Sequence, residues 1–372
     1  MRKFTILQTI ETVGPGGAET VVLNLASQLD SSRFRSVVLL PREDWLSQRL
    51  RECGVPTFFI DSRGWYDFRL PLGMARLVRQ EKIDLIHSHL PGQNFYSCVV
   101  GHWAGCKTIA TYHGAIEVSR PAGLRGAIQL ACVRRLADAV VVVCDHVGQM
   151  LRNARFPAEK IVRIYNGISV DRFQVSGNGR LKRELDLQNG AKLVGMVANL
   201  RESKGYEFFI QAARKVTDIM PETRFVAVGD MDPVIAKPLQ QLIQRLGLQD
   251  RFTFLGFRSD VPEILSELDV FVLSSVSEGF PLVTLEAMAA AKPMIVTRSG
   301  GPQEIVEDGR TGLLIPPADP DALAGKICEL LADPGRAATL ARTARAKVAS
   351  TFTLEKMLRD YERLYQRVLT GA

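Results

Sequence analysis

Two carboxylates, Glu278 and Glu286, lie eight positions apart, and Gly-Phe-Pro-Leu directly follows the first of them. The segment predicts a strand end, a glycine turn and a helix that begins at Pro281. Proline suits the first helical position, because its missing N–H would have no partner there. The N–H groups at a helix N-terminus favour anions, and carboxylates accept hydrogen bonds from hydroxyl groups. This combination is typical of a pocket for a sugar nucleotide.

Two cations, Arg201 and Lys204, lie in the segment Asn-Leu-Arg-Glu-Ser-Lys-Gly at residues 199–205, after another predicted strand. Cations in a strand-to-helix loop can bind a diphosphate and stabilise it as it leaves. Two solvated loop charges are the plain alternative. The two glutamates in the same half of the chain favour the diphosphate site.

Gly16 and Gly17 belong to Gly-Pro-Gly-Gly-Ala-Glu at residues 14–19, after the first predicted strand. Glycines there allow backbone N–H groups to approach a phosphate. A dinucleotide-binding loop is the obvious alternative. However, the third glycine of that motif is missing, and the second strand ends without an acidic residue to hold a ribose.

Three histidines follow or end predicted strands of the first half. His113, in Thr-Tyr-His-Gly, lies at a carboxyl end, where it can donate to a hydroxyl near neutral pH. His87 and His89 are separated by one residue and therefore share a strand face. A metal site is conceivable for such a pair, but no third ligand is placed nearby. We interpret both as polar strand-end residues that at most line a cleft.

These segments together resemble the retaining glycosyltransferases of family 4, also called glycosyl transferases group 1, over nearly the whole chain. The resemblance implies the GT-B architecture, an α/β fold with two Rossmann-like domains facing across a cleft and a C-terminal helix that can cross back to the first domain. It also implies a retaining, metal-independent hexosyl transfer from a nucleoside-diphosphate sugar to an acceptor hydroxyl. No cofactor is expected, since the nucleotide sugar is a co-substrate.

The resemblance assigns roles residue by residue. Arg201 and Lys204 would neutralise the leaving diphosphate, although Asn199 stands where relatives often have the arginine. Glu286 would hold the ribose hydroxyls, Glu278 would hold sugar hydroxyls, and His113 would orient the sugar or the acceptor. The other expected substrate-binding residues lie in the glycine loop, at the hinge, near the nucleobase and in the turn after Glu278: Gly16, Gly17, Asn166, Phe257, Arg258, Gly279, Phe280, Pro281 and Leu282. The turn at 299–304 is expected to support the cleft.

Buried-strand patterns alternate with helical patterns along all 372 residues, which predicts parallel sheets covered on both faces. We expect six strands in each half. The polar, glycine-rich segment 174–179 reads as a linker. The predicted domains are therefore 1–170, an acceptor-side domain, and 171–355, a donor-binding domain. Residues 356–372 belong to an amphipathic C-terminal helix.

Composition is ordinary for a globular protein, with 46% hydrophobic and 23% charged residues. No apolar run is long enough for a membrane span. Six scattered cysteines and the lack of a signal-peptide pattern predict a cytoplasmic protein with reduced thiols.

Residues 1–170 hold 21 Lys and Arg against 14 Asp and Glu, so this half carries the whole formal net charge of +7. The excess indicates an anionic partner on one side of the molecule. Nucleic acid is disfavoured, because aromatic residues do not alternate with the basic ones. An anionic membrane at the inner face, contacted through a basic amphipathic helix over 121–136, is the stronger alternative to a simple solubility bias.

Three other functions remain open at this point: a sugar-nucleotide epimerase, a phosphorylase on the same frame, or a non-catalytic sugar-nucleotide-binding subunit. The intact Glu278, Glu286 and Lys204 argue against the last. The expected partners are the nucleotide-sugar donor and a glycan or lipid-linked acceptor in polysaccharide or glycolipid synthesis. The loops 63–70 and 119–125 are expected to select the acceptor, but their sequences match no pattern that identifies it.

Overall fold

The computed structural model describes residues 2–61, 67–119, 123–188 and 190–371. Residues 62–66 and 120–122 lie outside the described residues, and they include parts of the two predicted acceptor loops, 63–70 and 119–125. The chain forms two compact units. The first comprises Met1–Asn166 and Glu355–Ala372, and the second comprises Gly167–Leu354.

The first unit is built on a parallel sheet of seven strands in the order β3-β2-β1-β4-β5-β6-β7. The strands are β1 (Phe4–Ile10), β2 (Phe34–Leu40), β3 (Thr57–Phe59), β4 (Leu85–His89), β5 (Lys107–Tyr112), β6 (Ala139–Val142) and β7 (Ile161–Arg163). Central strands are buried on both faces, as continuous apolar runs require. The sequence predicted six of the seven. It missed β3, a three-residue edge strand that pairs only with β2 and ends in the exposed Phe59.

Eight helices accompany this sheet in the described residues: α1 (Gly17–Gln28), α2 (Trp45–Glu52), α3 (Arg69–Gln80), α4 (Pro91–Ala104), α5 (Ile116–Ser119), α6 (Gly123–Leu136), α7 (Asp145–Asn153) and the C-terminal α16 (Leu354–Thr370). The tyrosines Tyr361 and Tyr365 of α16 are fully buried. The C-terminal helix is therefore part of the core of the first unit.

The second unit contains a parallel sheet of six strands in the order β10-β9-β8-β11-β12-β13. They are β8 (Leu193–Val197), β9 (Arg224–Val228), β10 (Phe252–Gly256), β11 (Val270–Leu273), β12 (Met294–Thr297) and β13 (Leu313–Ile315). All six were predicted. Its helices are α8 (Arg180–Glu184), α9 (Tyr206–Ile219), α10 (Pro233–Arg245), α11 (Val261–Glu267), α12 (Leu282–Ala289), α13 (Pro302–Ile305), α14 (Pro320–Ala332) and α15 (Pro334–Thr351). The predicted class, two parallel α/β domains, is confirmed.

The unit boundary differs slightly from the predicted one. The sequence placed it after residue 170, whereas the structure places it after Asn166. The N–H of Ile168 donates to the carbonyl of Phe352 at 3.0 Å, and the carbonyl of Ile168 accepts from the N–H of Leu354 at 2.9 Å. These bonds join the two segments in which the chain enters and leaves the second unit. The expected linker at 174–179 also lies inside that unit, where Gly177 packs against Glu267 of α11.

Candidate functional site

The order of the strands brings two distant loops together in the second unit. β8 and β11 are neighbours at the point where the strand order reverses, and ligands of open α/β sheets bind at such points, outside the carboxyl ends of the strands. Lys204 lies in the loop after β8, and Glu278 lies in the loop after β11.

Lys204 and Glu278 form an ion pair in this position, with 2.6 Å between Nζ and Oε1. The hydroxyl of Ser275 donates to the same oxygen at 2.5 Å. The Glu278 side chain is only 9% exposed and that of Lys204 is 21% exposed, so solvent screens the pair weakly. Ser275 was not predicted, because a serine in a loop carries no recognisable sequence signal.

Backbone contacts fix both loops. The hydroxyl of Ser274 lies 3.1 Å from the carbonyl oxygen of Lys204 and 3.0 Å from that of Gly205. Gly205 has φ +63°, and a Cβ there would collide with the carbonyl of Ser274, so only glycine fits. On the other side, Glu278 donates its N–H to Ser299 at 2.9 Å. The turn at 299–301 thus supports the glutamate loop.

Helix α12 begins one residue later than predicted. Pro281 is its N-cap, with an extended ψ of 114°, and Leu282 is the first helical residue. Phe280 is 4% exposed and packs edge-on against Phe352, with 5.5 Å between ring centroids. The side chains of Phe280 and Leu282 are thus core groups. Any contact that they make with a ligand has to come from their backbone.

Glu286 lies about one turn into α12 and is partly exposed. Burial raises the pKa of its carboxyl to about 7, and the nearby Arg172 lowers it by less. Glu286 is therefore half ionised near neutral pH. Arg172 was not among the predicted residues.

The pKa of Glu286 predicts a pH dependence of donor binding. The raised value means that the folded protein holds this proton more tightly than the unfolded chain, so its stabilising contribution declines from about pH 4.5 to about 7. A carboxylate accepts two ribose hydroxyls better than a neutral acid does. We expect the donor dissociation constant to rise as the pH falls below about 7, by at most about tenfold per unit.

Isothermal titration of the nucleoside-diphosphate sugar between pH 5.5 and 8.5 measures this effect. Glu286→Gln, which cannot ionise, should bind more weakly at pH 8 and show a flat profile. An unchanged slope in Glu286→Gln would assign the titration to another group.

In the first unit the predicted glycines lie at the start of α1. Gly16 is the N-cap and Gly17 is the first helical residue. The Glu19 carboxylate turns back against Gly16 and would contact any Cβ placed there. This loop follows β1, which is adjacent to β4 at the strand-order reversal of this sheet.

The three histidines form one cluster, in which His87 and His89 are buried and His113 is partly exposed. Nδ1 of His89 lies 2.9 Å from Nε2 of His113, and the rings of His87 and His89 are 4.3 Å apart. His87 and His89 are completely buried, so they do not line a cleft. Their ring nitrogens contact polar side chains of β1, β5 and α16.

The backbone of His113 is held by a carboxylate that sequence reasoning missed. The N–H of His113 donates to both oxygens of Glu117, each at 3.1 Å. Burial raises the pKa of Glu117 to about 8. Glu117 stabilises the turn between β5 and α5.

Comparison with known proteins identifies the family. The model for glycosyltransferase family 4 matches residues 15–172, and the model for glycosyl transferases group 1 matches residues 178–347. The chain belongs to the family 4, group 1 glycosyltransferases. The predicted family and the predicted enzyme class, a glycosyltransferase, are confirmed.

Two curated relatives resemble this glycosyltransferase over most of both chains. An N-acetyl-alpha-D-glucosaminyl L-malate synthase of Bacillus anthracis is 29% identical over 310 residues, which is 82% of this chain and 80% of the relative. A UDP-Gal:alpha-D-GlcNAc-diphosphoundecaprenol alpha-1,3-galactosyltransferase of Escherichia coli is 27% identical over 335 residues, or 87% and 86% of the two chains.

A solved structure shares the fold of this glycosyltransferase. The crystal structure of Anabaena Alr3699/HepE in complex with UDP-glucose has a TM-score of 0.89 and 24% identity, covering 97% of this chain and 99% of that one. The predicted GT-B fold is confirmed.

The remaining predicted residues of the glycosyltransferase lie at different levels of exposure. Arg201 is exposed and precedes the turn Glu202–Lys204. Phe257 is 49% exposed after β10. Asn166 is buried at the last position of the first unit.

Arg258 is already engaged. Its guanidinium binds Asp260 through two hydrogen bonds, at 2.8 and 2.7 Å, and Glu184 through a third at 2.7 Å. These bonds use three of the five N–H groups of the guanidinium and hold it against Asp260 and Glu184. A base contact by Arg258 would use one of the two remaining N–H groups.

Within the described ranges, no three His, Cys, Asp or Glu side chains are grouped to hold a metal ion. The helices in the described part of the chain include none that is both long and apolar enough to cross a bilayer.

Proposed function

We propose that this glycosyltransferase moves a hexosyl group from a nucleoside-diphosphate sugar to a hydroxyl of a glycan or lipid-linked acceptor, with retention and without a metal ion. The two relatives support the donor class, since the galactosyltransferase is named for UDP-Gal and the synthase for an N-acetylglucosaminyl product. The galactosyltransferase, named for a diphosphoundecaprenol acceptor, supports a role in polysaccharide or glycolipid synthesis.

The observation that carries the proposal is the pair of Lys204 and Glu278 at the carboxyl edge of the second sheet. With a donor bound, the ammonium would exchange part of its contact with Glu278 for the diphosphate, and Arg201 would add a second cation. Glu278 would then accept hydrogen bonds from sugar hydroxyls, and Glu286 from the ribose. These charges stabilise the departing diphosphate without a metal ion.

The bond changes require no covalent protein intermediate. The bond from the anomeric carbon to the phosphate oxygen breaks, and the acceptor oxygen bonds to the same face of that carbon. The acceptor proton passes to the departing phosphate oxygen. The side chains hold and stabilise these groups, so charge placement sets the rate.

A thermal-shift panel of nucleoside-diphosphate sugars tests the donor class, because a ligand that binds only the folded protein raises its apparent stability. UDP-glucose, UDP-galactose, UDP-N-acetylglucosamine and GDP-mannose are the first four to try. NMR of the product reports the anomeric configuration, and assays in excess EDTA report metal dependence. An inverted product or strict metal dependence would contradict the mechanism.

We also propose that α6 touches an anionic membrane surface. Leu124 and Ile128, one turn apart, are 79% and 51% exposed, while Gly126 and Val133 are buried. Arg135 of the same helix is exposed. Apolar side chains that face away from the core, beside cations, are characteristic of interfacial helices. Arg120 and Pro121, which the sequence assigned to this helix, lie outside the described residues.

Flotation with vesicles containing about 30% anionic lipid checks this contact. We expect binding at low salt that weakens as salt rises, and a loss of about tenfold or more in Leu124→Ser/Ile128→Ser, since each side chain loses apolar burial. Ile219→Ser/Val234→Ser, which alters two exposed apolar residues of the second unit, is the matched control. Equal binding by both double variants would refute the assignment to α6.

A further inference from the structure

An unbroken chain of hydrogen bonds runs from the C-terminal helix to His113. Tyr365 of α16 contacts Nε2 of Gln8 at 2.9 Å, and Oε1 of Gln8 contacts Nε2 of His89 at 3.2 Å. His89 then contacts Nε2 of His113 through Nδ1 at 2.9 Å. Gln8, His89 and Tyr365 are buried completely, so water does not compete for these contacts.

The amide of Gln8 sets the direction of this chain. In the amide orientation in which Nε2 of Gln8 donates to Tyr365, the oxygen of Gln8 faces His89 and can only accept, so Nε2 of His89 carries a proton. A neutral imidazole with a proton on Nε2 has a lone pair on Nδ1. His113 must therefore donate to His89 from its own Nε2, and its Nδ1 keeps a lone pair.

The other branch is consistent with this direction. The Tyr365 hydroxyl accepts from Gln8 and is then free to donate to Nδ1 of His87 at 2.6 Å. His87 in turn donates from Nε2 to the hydroxyl of Thr111 at 2.7 Å. Every imidazole in the chain is then neutral with its proton on Nε2.

Burial keeps the three imidazoles neutral. It lowers the pKa of His87 to about 3 and that of His113 to about 4, and the pKa of His89 is also well below its usual value. Across the physiological pH range these histidines can therefore change tautomer, but they carry no charge.

We propose that Gln8, His89 and Tyr365 are positioning residues that fix the tautomer of His113, so that His113 accepts a hydrogen bond at Nδ1 from a substrate hydroxyl and does not donate one. The inference rests on the proposed function, in which His113 contacts the sugar or the acceptor. It adds the direction of that hydrogen bond, in which the substrate hydroxyl is the donor. It also assigns a role to the C-terminal helix, because Tyr365 of this helix lies at the far end of the series of hydrogen bonds from His113.

Long-range ¹⁵N–¹H NMR of the full-length protein, labelled with ¹⁵N-histidine, reports the tautomers of its five histidines directly. We expect His113 to be neutral with its proton on Nε2. Gln8→Leu removes the acceptor of His89, and should shift His113 toward the Nδ1–H form and lower kcat by about fivefold or more, the worth of one hydrogen bond, with little change in KM. Gln8→Glu keeps an acceptor at His89 and should restore both the tautomer and part of kcat.

Tyr361→Phe is the matched control, because its ring also packs on His87 and its hydroxyl interacts with Thr111, outside the path from Tyr365 through Gln8 and His89 to His113. It should leave the His113 tautomer and kcat unchanged, whereas Tyr365→Phe should broaden or shift the His113 signals, which provides a second variant if Gln8→Leu does not fold. An Nδ1–H tautomer in the wild-type protein would overturn the inference, as would a His113 spectrum indifferent to both substitutions. The predicted tautomers combined with a fully active His113→Ala enzyme would refute the site assignment instead.

Discussion

Lys204→Met should lower kcat/KM for sugar transfer by about 100- to 1000-fold, the usual cost of removing one preorganised group that stabilises a developing charge. Lys204 is the cation that touches Glu278 at 2.6 Å. Without it, the departing diphosphate would lose one of the two cations that we propose neutralise it. The measurement is initial-rate kinetics with the donor identified by thermal shift.

The same change should also affect stability, because it leaves the buried carboxylate of Glu278 with only Ser275 as a side-chain hydrogen-bond partner among the described residues. We expect a loss of about 1–3 kcal/mol in the free energy of unfolding, the cost of an unsatisfied buried group. The double variant Lys204→Met/Glu278→Gln should recover much of that stability while remaining inactive. This outcome would separate the catalytic role of the pair from its structural role.

Lys192→Met is the control for removal of a lysine from an ion pair. Lys192 contacts Asp269 at 3.4 Å, and its side chain is 45% exposed. Exposed pairs contribute about 1 kcal/mol or less, so activity and stability should change little. Full activity of Lys204→Met beside such a control would eliminate the site assignment.

Gly301→Ala should reduce sugar-transfer activity by a factor similar to that expected for Lys204→Met. The reason here is steric. Gly301 has an ordinary φ of −56°, so its conformation suits any residue. However, a Cβ at this position would overlap the carbonyl oxygen of Gly279. Because the Cβ position is fixed by its own backbone and the carbonyl oxygen is itself a backbone atom, the 279–281 segment has to move away, and the Glu278 loop moves with it.

Overpacking of this kind costs about 1–3 kcal/mol, so the melting temperature should fall together with donor affinity. Calorimetry and donor titration measure the two effects. Gly325→Ala in α14 is the matched control, since a Cβ there meets nothing within 4 Å. Alanine is the better helix former, so this control should stabilise the protein by about 0.5–1 kcal/mol. A Gly301→Ala enzyme with normal donor binding would show that the loop position is not critical.

The sequence was sufficient to predict most of the elements, because apolar runs and helical periodicity are local properties. It was also sufficient to place Lys204, Glu278 and His113 in loops at carboxyl ends of strands. It failed where local pattern was weak. The short edge strand β3 and the N-cap position of Pro281 belong to this class.

The residue partnerships were decided by the tertiary structure. Lys204 and Glu278 are 74 positions apart and meet because β8 and β11 are adjacent, an order that a sequence pattern does not encode locally. The engagement of Arg258 by Asp260 and Glu184 likewise follows from side-chain positions.

The sequence by itself determined the fold class, the family resemblance and the residue types available for sugar-nucleotide chemistry, since these follow from composition, periodicity and motif spacing. Only the tertiary structure decided that Tyr365 lies beside His87, 278 positions away, and beside Gln8, 357 positions away. The physical reason is that hydrogen-bond partners and tautomers depend on which buried groups meet in the folded core. That packing is set by the whole chain, and no single segment specifies it.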